Sequence, residues 1–132
     1  MTIREVTQFL ESIAPPQYQE SYDNAGLITG NPEWEVTGVL TCLDSTEAVI
    51  TEALTKGCNL VIAHHPIIFR GLKKISGRNY VERTVIKAIK NDIAIYAIHT
   101  NLDNGCRNKD VVLSVAELEH GLIFFAGTHA PV

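Results

Sequence analysis

Apolar positions along the chain follow two rhythms separated by an aperiodic stretch. Ile3, Val6, Phe9, Leu10 and Ile13 recur at helical spacing. Thr2 with Glu5 three residues later is a capping-box signature, and Pro15-Pro16 stops the helix because proline lacks the N–H that would continue it. From Gln17 to Glu35 no period holds. That stretch is rich in turn formers, including Tyr22-Asp23-Asn24-Ala25-Gly26-Leu27 and Gly30-Asn31-Pro32, and reads as a long loop. Loops of this length are uncommon in small domains and tend to be functional.

From Val36 the pattern becomes regular. Val36 to Leu43 reads as a strand ending at Asp44. Ser45 then caps a helix with Val49, Ile50, Ala53 and Leu54 on one face, and Gly57 stops it. Asn59 to Ala63 is the next strand, running straight into His64-His65-Pro66. A loop with Gly71 and Gly77 leads to a helix from Tyr80 to Lys90, whose inner face carries Val81, Val85, Ile86 and Ile89. Ile93 to Ile98 is a third strand, and it ends at His99. Strand, helix, strand, helix, strand at this spacing predicts an α/β fold, a mainly parallel β-sheet flanked by helices joined as right-handed βαβ units. Beyond Gly105, Val111 to Leu118 reads as a helix and Leu122 to Ala126 as a short strand.

Composition narrows the class. At 132 residues there is room for one domain with a hydrophobic core, and 45% apolar with 20% charged residues excludes a disordered chain. Eleven basic against 15 acidic residues give a net charge of −4, which argues against nucleic acid or an anionic membrane as partner. Arg70, Lys73, Lys74 and Arg78 read as a solvated loop face. No apolar run reaches the roughly 20 residues of a membrane span. The N-terminus reads as an amphipathic start and not as a signal peptide. Cys42, Cys58 and Cys106 form no Cys-x-x-Cys pair, so a reduced, cytoplasmic setting is expected.

The chemistry concentrates at strand ends. In the predicted sheet Asp44, His64, His65 and His99 fall at one edge, the carboxyl edge where open α/β sheets place ligands, and Asp103 follows His99 by four residues. Neutral imidazole and carboxylate are preferred ligands of zinc, iron and manganese. Adjacent strand residues point to opposite faces, so His64 and His65 converge only where the strand has ended; Pro66 favours that. One imidazole on each of two neighbouring metals, with Asp103 between them, would acidify a shared water. The plainer alternative is strand-end histidines satisfied by backbone hydrogen bonds. It suits a lone histidine better than His-His-Pro together with His-x-x-x-Asp. Asp44 reads equally well as a turn or helix-capping residue, and Asn24 and Gly26 suggest only a turn. Dinucleotide, phosphate-loop and serine-elbow motifs are absent. A cysteine nucleophile beside His64 or His65 is a competing arrangement, although Cys42 reads as buried.

Four segments in order resemble the GTP cyclohydrolase type 2 homologue family, the Nif-three-like dinuclear metal proteins. They are Tyr22 to Leu27, Leu43-Asp44-Ser45-Thr46, Ala63-His64-His65-Pro66-Ile67-Ile68-Phe69, and His99-Thr100-Asn101-Leu102-Asp103. The resemblance implies a Nif-three-like α/β sandwich, with residues 1–132 as a single metal-binding domain or part of the family fold. It implies His64, His65 and Asp103 as ligands of one or two divalent ions (zinc, iron, manganese or similar). His99 would be the catalytic proton shuttle or a group supporting the ligands, in a metal-dependent hydrolase of small-molecule substrate. It also implies a homo-oligomer, commonly a hexamer. Members of that family are about double this length, the size of one large unit or two small ones. Their His-x-x-x-Glu-type pair near the C-terminus has no counterpart here, and the tail from about residue 105, beginning Gly105-Cys106-Arg107-Asn108, diverges. Glu117, Glu119 and His120 are candidate replacements, against a solvated helix face. The alternative function is therefore a non-catalytic metal-binding or protein-interaction module.

Overall fold

Helix α1 (Ile3–Ile13) begins where the Thr2 hydroxyl accepts from the Glu5 N–H and the Glu5 carboxylate accepts from the Thr2 N–H, the reciprocal capping box expected from sequence. A turn of 3-10 helix at Pro16–Tyr18 follows. The computed structural model describes residues 1–19 and 21–98, with Phe124–Ala126 and Tyr18 described in backbone only. The remaining elements are β1 (Gly26–Thr29), β2 (Val39–Asp44), α2 (Glu47–Thr55), β3 (Leu60–His65), α3 (Tyr80–Lys90), β4 (Ala94–Ala97) and β5 (Phe124–Ala126).

The strands form one sheet in the order β1-β4-β3-β2-β5. Pairings β4–β3, β3–β2 and β2–β5 are parallel, and only the edge strand β1 runs antiparallel, against β4. Both faces of the central strands are covered, which is why those strands are nearly continuous in apolar residues. On one face Ile3, Val6 and Leu10 of α1 pack on Val39, Leu60, Ile62, Ala94 and Tyr96. On the other, Val49, Ile50 and Ala53 of α2 and Val85 and Ala88 of α3 pack on Leu40, Val61 and Ile95. Each large aliphatic side chain fully buried in this way contributes about 1.5–3 kcal/mol.

The α/β class and the mainly parallel sheet flanked by helices are as expected, and so is the terminal strand within Leu122 to Ala126. Several local expectations are corrected. The stretch from Gln17 to Glu35 is not all loop: it contains β1, too short and too mixed in polarity to show a period of two. Gly30, just after β1, has φ +106° and comes so close to β4 that a Cβ there would lie 2.5 Å from the Ala94 Cβ. Thr46, not Ser45, caps α2, accepting from the Val49 N–H. Leu54 and Ile89 face solvent, because α2 and α3 also pack against each other and the buried stripe rotates toward Ala53 and Ala88. The predicted helix from Val111 to Leu118 lies outside the described residues. Among the described residues no helix is long and apolar enough to cross a membrane.

Candidate metal centre

Register fixes the site. β2 and β3 are parallel and pair from Val39↔Leu60 through Asp44↔His65, so a carboxylate and an imidazole reach the sheet's carboxyl edge side by side. Asp44 Oδ1 lies 2.8 Å from His65 Nδ1, and both side chains are partly exposed, at 39% and 46%. Asp44 is thus a member of the cluster, while the capping role that rivalled this reading belongs to Thr46.

His64 and His65 also meet, although not as predicted. The strand has not ended: both residues belong to β3, because the Asp44↔His65 rung continues the ladder to His65. Strand alternation starts them toward opposite faces, yet their ring centroids are 4.6 Å apart with planes inclined by 57°. His65 stands on the last rung, with no rung beyond it to pack against, so its ring is free to lean past the sheet's end toward His64. His99 and Asp103 lie outside the described residues. Among the described residues no three His, Cys, Asp or Glu side chains are grouped so as to hold a metal ion.

The loop before β1, whose Tyr22 to Leu27 segment is one of the four that carry the family resemblance, joins the site. Asn24 Nδ2 donates to the Ile68 carbonyl at 2.7 Å, tying this loop to the chain just after His64-His65-Pro66. The neighbouring Asp23 carboxylate accepts from the Asn24 N–H and acts electrostatically on His64. Partial burial holds the His64 pKa below its ordinary 6.5, and the adjacent His65 adds to that. Asp44 and Asp23 pull in the opposite direction without reversing it. His64 is therefore a neutral imidazole near pH 7, the form that ligates metals.

A cleft of about 620 Å³ opens beside His65, between the start of α2 and the loop after β3. Asp44, His65, Pro66, Phe69 and Tyr80 line it, with Cys42. That volume lies within the range of small-molecule sites. Burial pushes the Cys42 thiol up to about 12, with Asp44 adding to the rise and the Ser45 hydroxyl opposing it. Cys42 is thus no thiolate near neutral pH, which removes it as the competing nucleophile.

The loop between β3 and α3 is anchored at its far end by Glu82, a buried carboxylate on α3. Its Oε2 accepts from the N–H groups of Ser76 and Arg78, and its Oε1 from Asn79 Nδ2. The Asn79 side chain in turn caps α3 by accepting from the Glu82 N–H. Arg70, Lys73, Lys74 and Arg78 on this loop are exposed, as expected.

Comparison with known proteins places this arrangement among relatives. A family profile described as Duf34/NIF3 (NGG1p interacting factor 3) matches residues 1–119. A Clostridium acetobutylicum protein named GTP cyclohydrolase 1 type 2 homolog is 39% identical over 104 residues, covering 79% of this chain and 39% of the relative. A crystal structure of a Staphylococcus aureus protein superposes with a TM-score of 0.73 at 44% identity, over 78% of this chain and 29% of that one. A Bacillus cereus protein related to NIF3 gives 0.72 at 43% identity, over 78% and 28% of the two chains. This chain spans between 28% and 47% of the length of the curated relatives it matches.

Proposed function

The chain belongs to the Duf34/NIF3 family, and from that premise we propose that it binds divalent metal through His64 and His65 and serves as a metal-dependent hydrolase. The observation that carries this reading is the pair of imidazoles 4.6 Å apart at the carboxyl edge of a parallel sheet, one of which, His65, lines a cleft of about 620 Å³. The donor set suits zinc, iron or manganese: nitrogen ligands, one of them kept neutral by burial. Asp103 is the proposed carboxylate ligand and His99 the proposed proton carrier, both on the segment after β4. A divalent ion held there supplies Lewis acidity and acidifies water near neutral pH.

The protein's own groups supply the rest. Burial withholds a proton from His64, Asn24 clamps the loop that carries Asp23 onto the chain following His65, and the cleft receives a small-molecule substrate. Assembly as a homo-oligomer, a hexamer in the family pattern, and a cytoplasmic setting complete the proposal. A second reading is metal binding without turnover, in a non-catalytic metal-binding or protein-interaction module.

Metal analysis with hydrolysis assays on phosphoester and nucleotide panels separates the two. Bound metal and a pH-dependent turnover lost in His65→Ala support the hydrolase. Bound metal without turnover supports the binding module, and absence of metal after reconstitution overturns both.

A further inference from the structure

We propose that Asp44 is a positioning residue for His65, holding the imidazole as the Nδ1–H tautomer so that Nε2 keeps its lone pair for a metal. The inference rests on the metal reading of His64 and His65 given above. Its basis is geometric. Asp44 Oδ1 and His65 Nδ1 are 2.8 Å apart. An ionised carboxylate only accepts, so the proton of this contact belongs to the ring nitrogen, and in a neutral imidazole the other nitrogen is then bare.

The contact is built by the backbone on both sides. Asp44 and His65 are register partners on the last rung of the β2–β3 ladder, 21 residues apart in sequence. Immediately after Asp44, Ser45 is buried (1% exposed) and Thr46 caps α2, so the aspartate leaves the sheet from a fixed position. Helix capping does not account for Asp44, since the Thr46 hydroxyl takes the Val49 N–H and Glu47 occupies the acidic place in the first turn. Stability does not account for it either, because a side-chain contact this exposed contributes little. A carboxylate that orients a ligating histidine through its second ring nitrogen is a recurrent device of metal sites, and its loss typically weakens metal affinity about 10–100-fold.

The test uses the full chain. Long-range proton–nitrogen NMR on the metal-free protein reports the His65 tautomer, and calorimetry with zinc reports affinity. Both are applied to the unmutated protein, Asp44→Leu, Asp44→Ala and Asp44→Asn. The expected result is an Nδ1–H tautomer in the unmutated protein and a shift toward Nε2–H in Asp44→Leu and Asp44→Ala. Zinc affinity falls about 10–100-fold in those two, while Asp44→Asn, whose amide can accept from Nδ1–H or donate to a bare Nδ1, keeps the contact without fixing the tautomer and falls between them and the unmutated protein. An Nε2–H tautomer in the unmutated protein overturns the proposal before any variant is made. So does a zinc affinity within about threefold of the unmutated value in Asp44→Leu or Asp44→Ala. If the unmutated protein takes up no zinc, the metal reading itself fails. If it does and only these variant outcomes miss, the positioning role alone is lost.

Discussion

Glu82 and Asp44 are two carboxylates a loop apart in structure, and they live in opposite surroundings. Glu82 is buried, and among the described residues its donors come from within six residues, among them the N–H groups of Ser76 and Arg78, the Ser76 hydroxyl and the Asn79 amide. Asp44 is partly exposed and meets a ring nitrogen 21 residues away. A carboxylate saturated by its own loop spends its hydrogen-bonding capacity on local order. One that faces a cleft and holds a histidine from a neighbouring strand keeps an accessible side for chemistry. The contrast separates a structural acid from a site acid by where their partners come from.

Substitution at Glu82 gives the largest expected effect on stability. Glu82→Ala leaves the Ser76 and Arg78 N–H groups and the Asn79 amide without their acceptor, while the backbone N–H at position 82 still bonds the Asn79 cap. Its melting temperature, read by calorimetry, is expected to fall by several degrees, with zinc affinity at a temperature where it remains folded little changed. A variant as stable as the parent would break the comparison.

Acid provides the next test. The hydrogen bonds from Arg78 and Ser76 hold Glu82 below its ordinary 4.5. Its contribution to stability is therefore fully present above about pH 4.5 and is lost as pH falls through the lower folded value. Urea unfolding of the parent and Glu82→Gln should diverge at neutral pH and converge in acid. A gap that stays constant to pH 3 contradicts this assignment.

Asp44→Ala should change stability by less than about 1 kcal/mol in the same urea experiment, because the pair it removes is solvent-exposed. An Asp44→Ala that unfolds would place Asp44 with Glu82 among the structural acids. The smallest effect is expected at His64, whose folded pKa lies below 6.5. Between the two values the folded state binds fewer protons than the unfolded, so stability rises with pH across that window and this contribution is flat above and below it. NMR titration of the metal-free protein should show the His64 ring protonating later on acidification than an ordinary imidazole.

Much of this was legible in the sequence, for identifiable reasons. The sequence places α3 over the residues it occupies, because a loop with Gly71 and Gly77 precedes it and Val81, Val85, Ile86 and Ile89 recur at helical spacing. The parallel core strands announced themselves as unbroken apolar runs. β1 was missed because it is a four-residue edge strand with burial on neither face strong enough to leave a pattern. The stripes of α2 and α3 were misjudged at Leu54 and Ile89, since periodicity locates an apolar face only to within the width of its neighbours' packing.

By itself the sequence determined the α/β class, the strand-helix alternation and the placing of His64 and His65 where a buried strand ends, because each depends on local pattern. Only the tertiary structure decided that Asp44 stands beside His65, that Asn24 ties its loop to Ile68, and that both imidazoles lean together from a strand still in its ladder. Those contacts join residues 21 and 44 positions apart. Strand register and loop closure set them, and neither is written in the local spacing of residues.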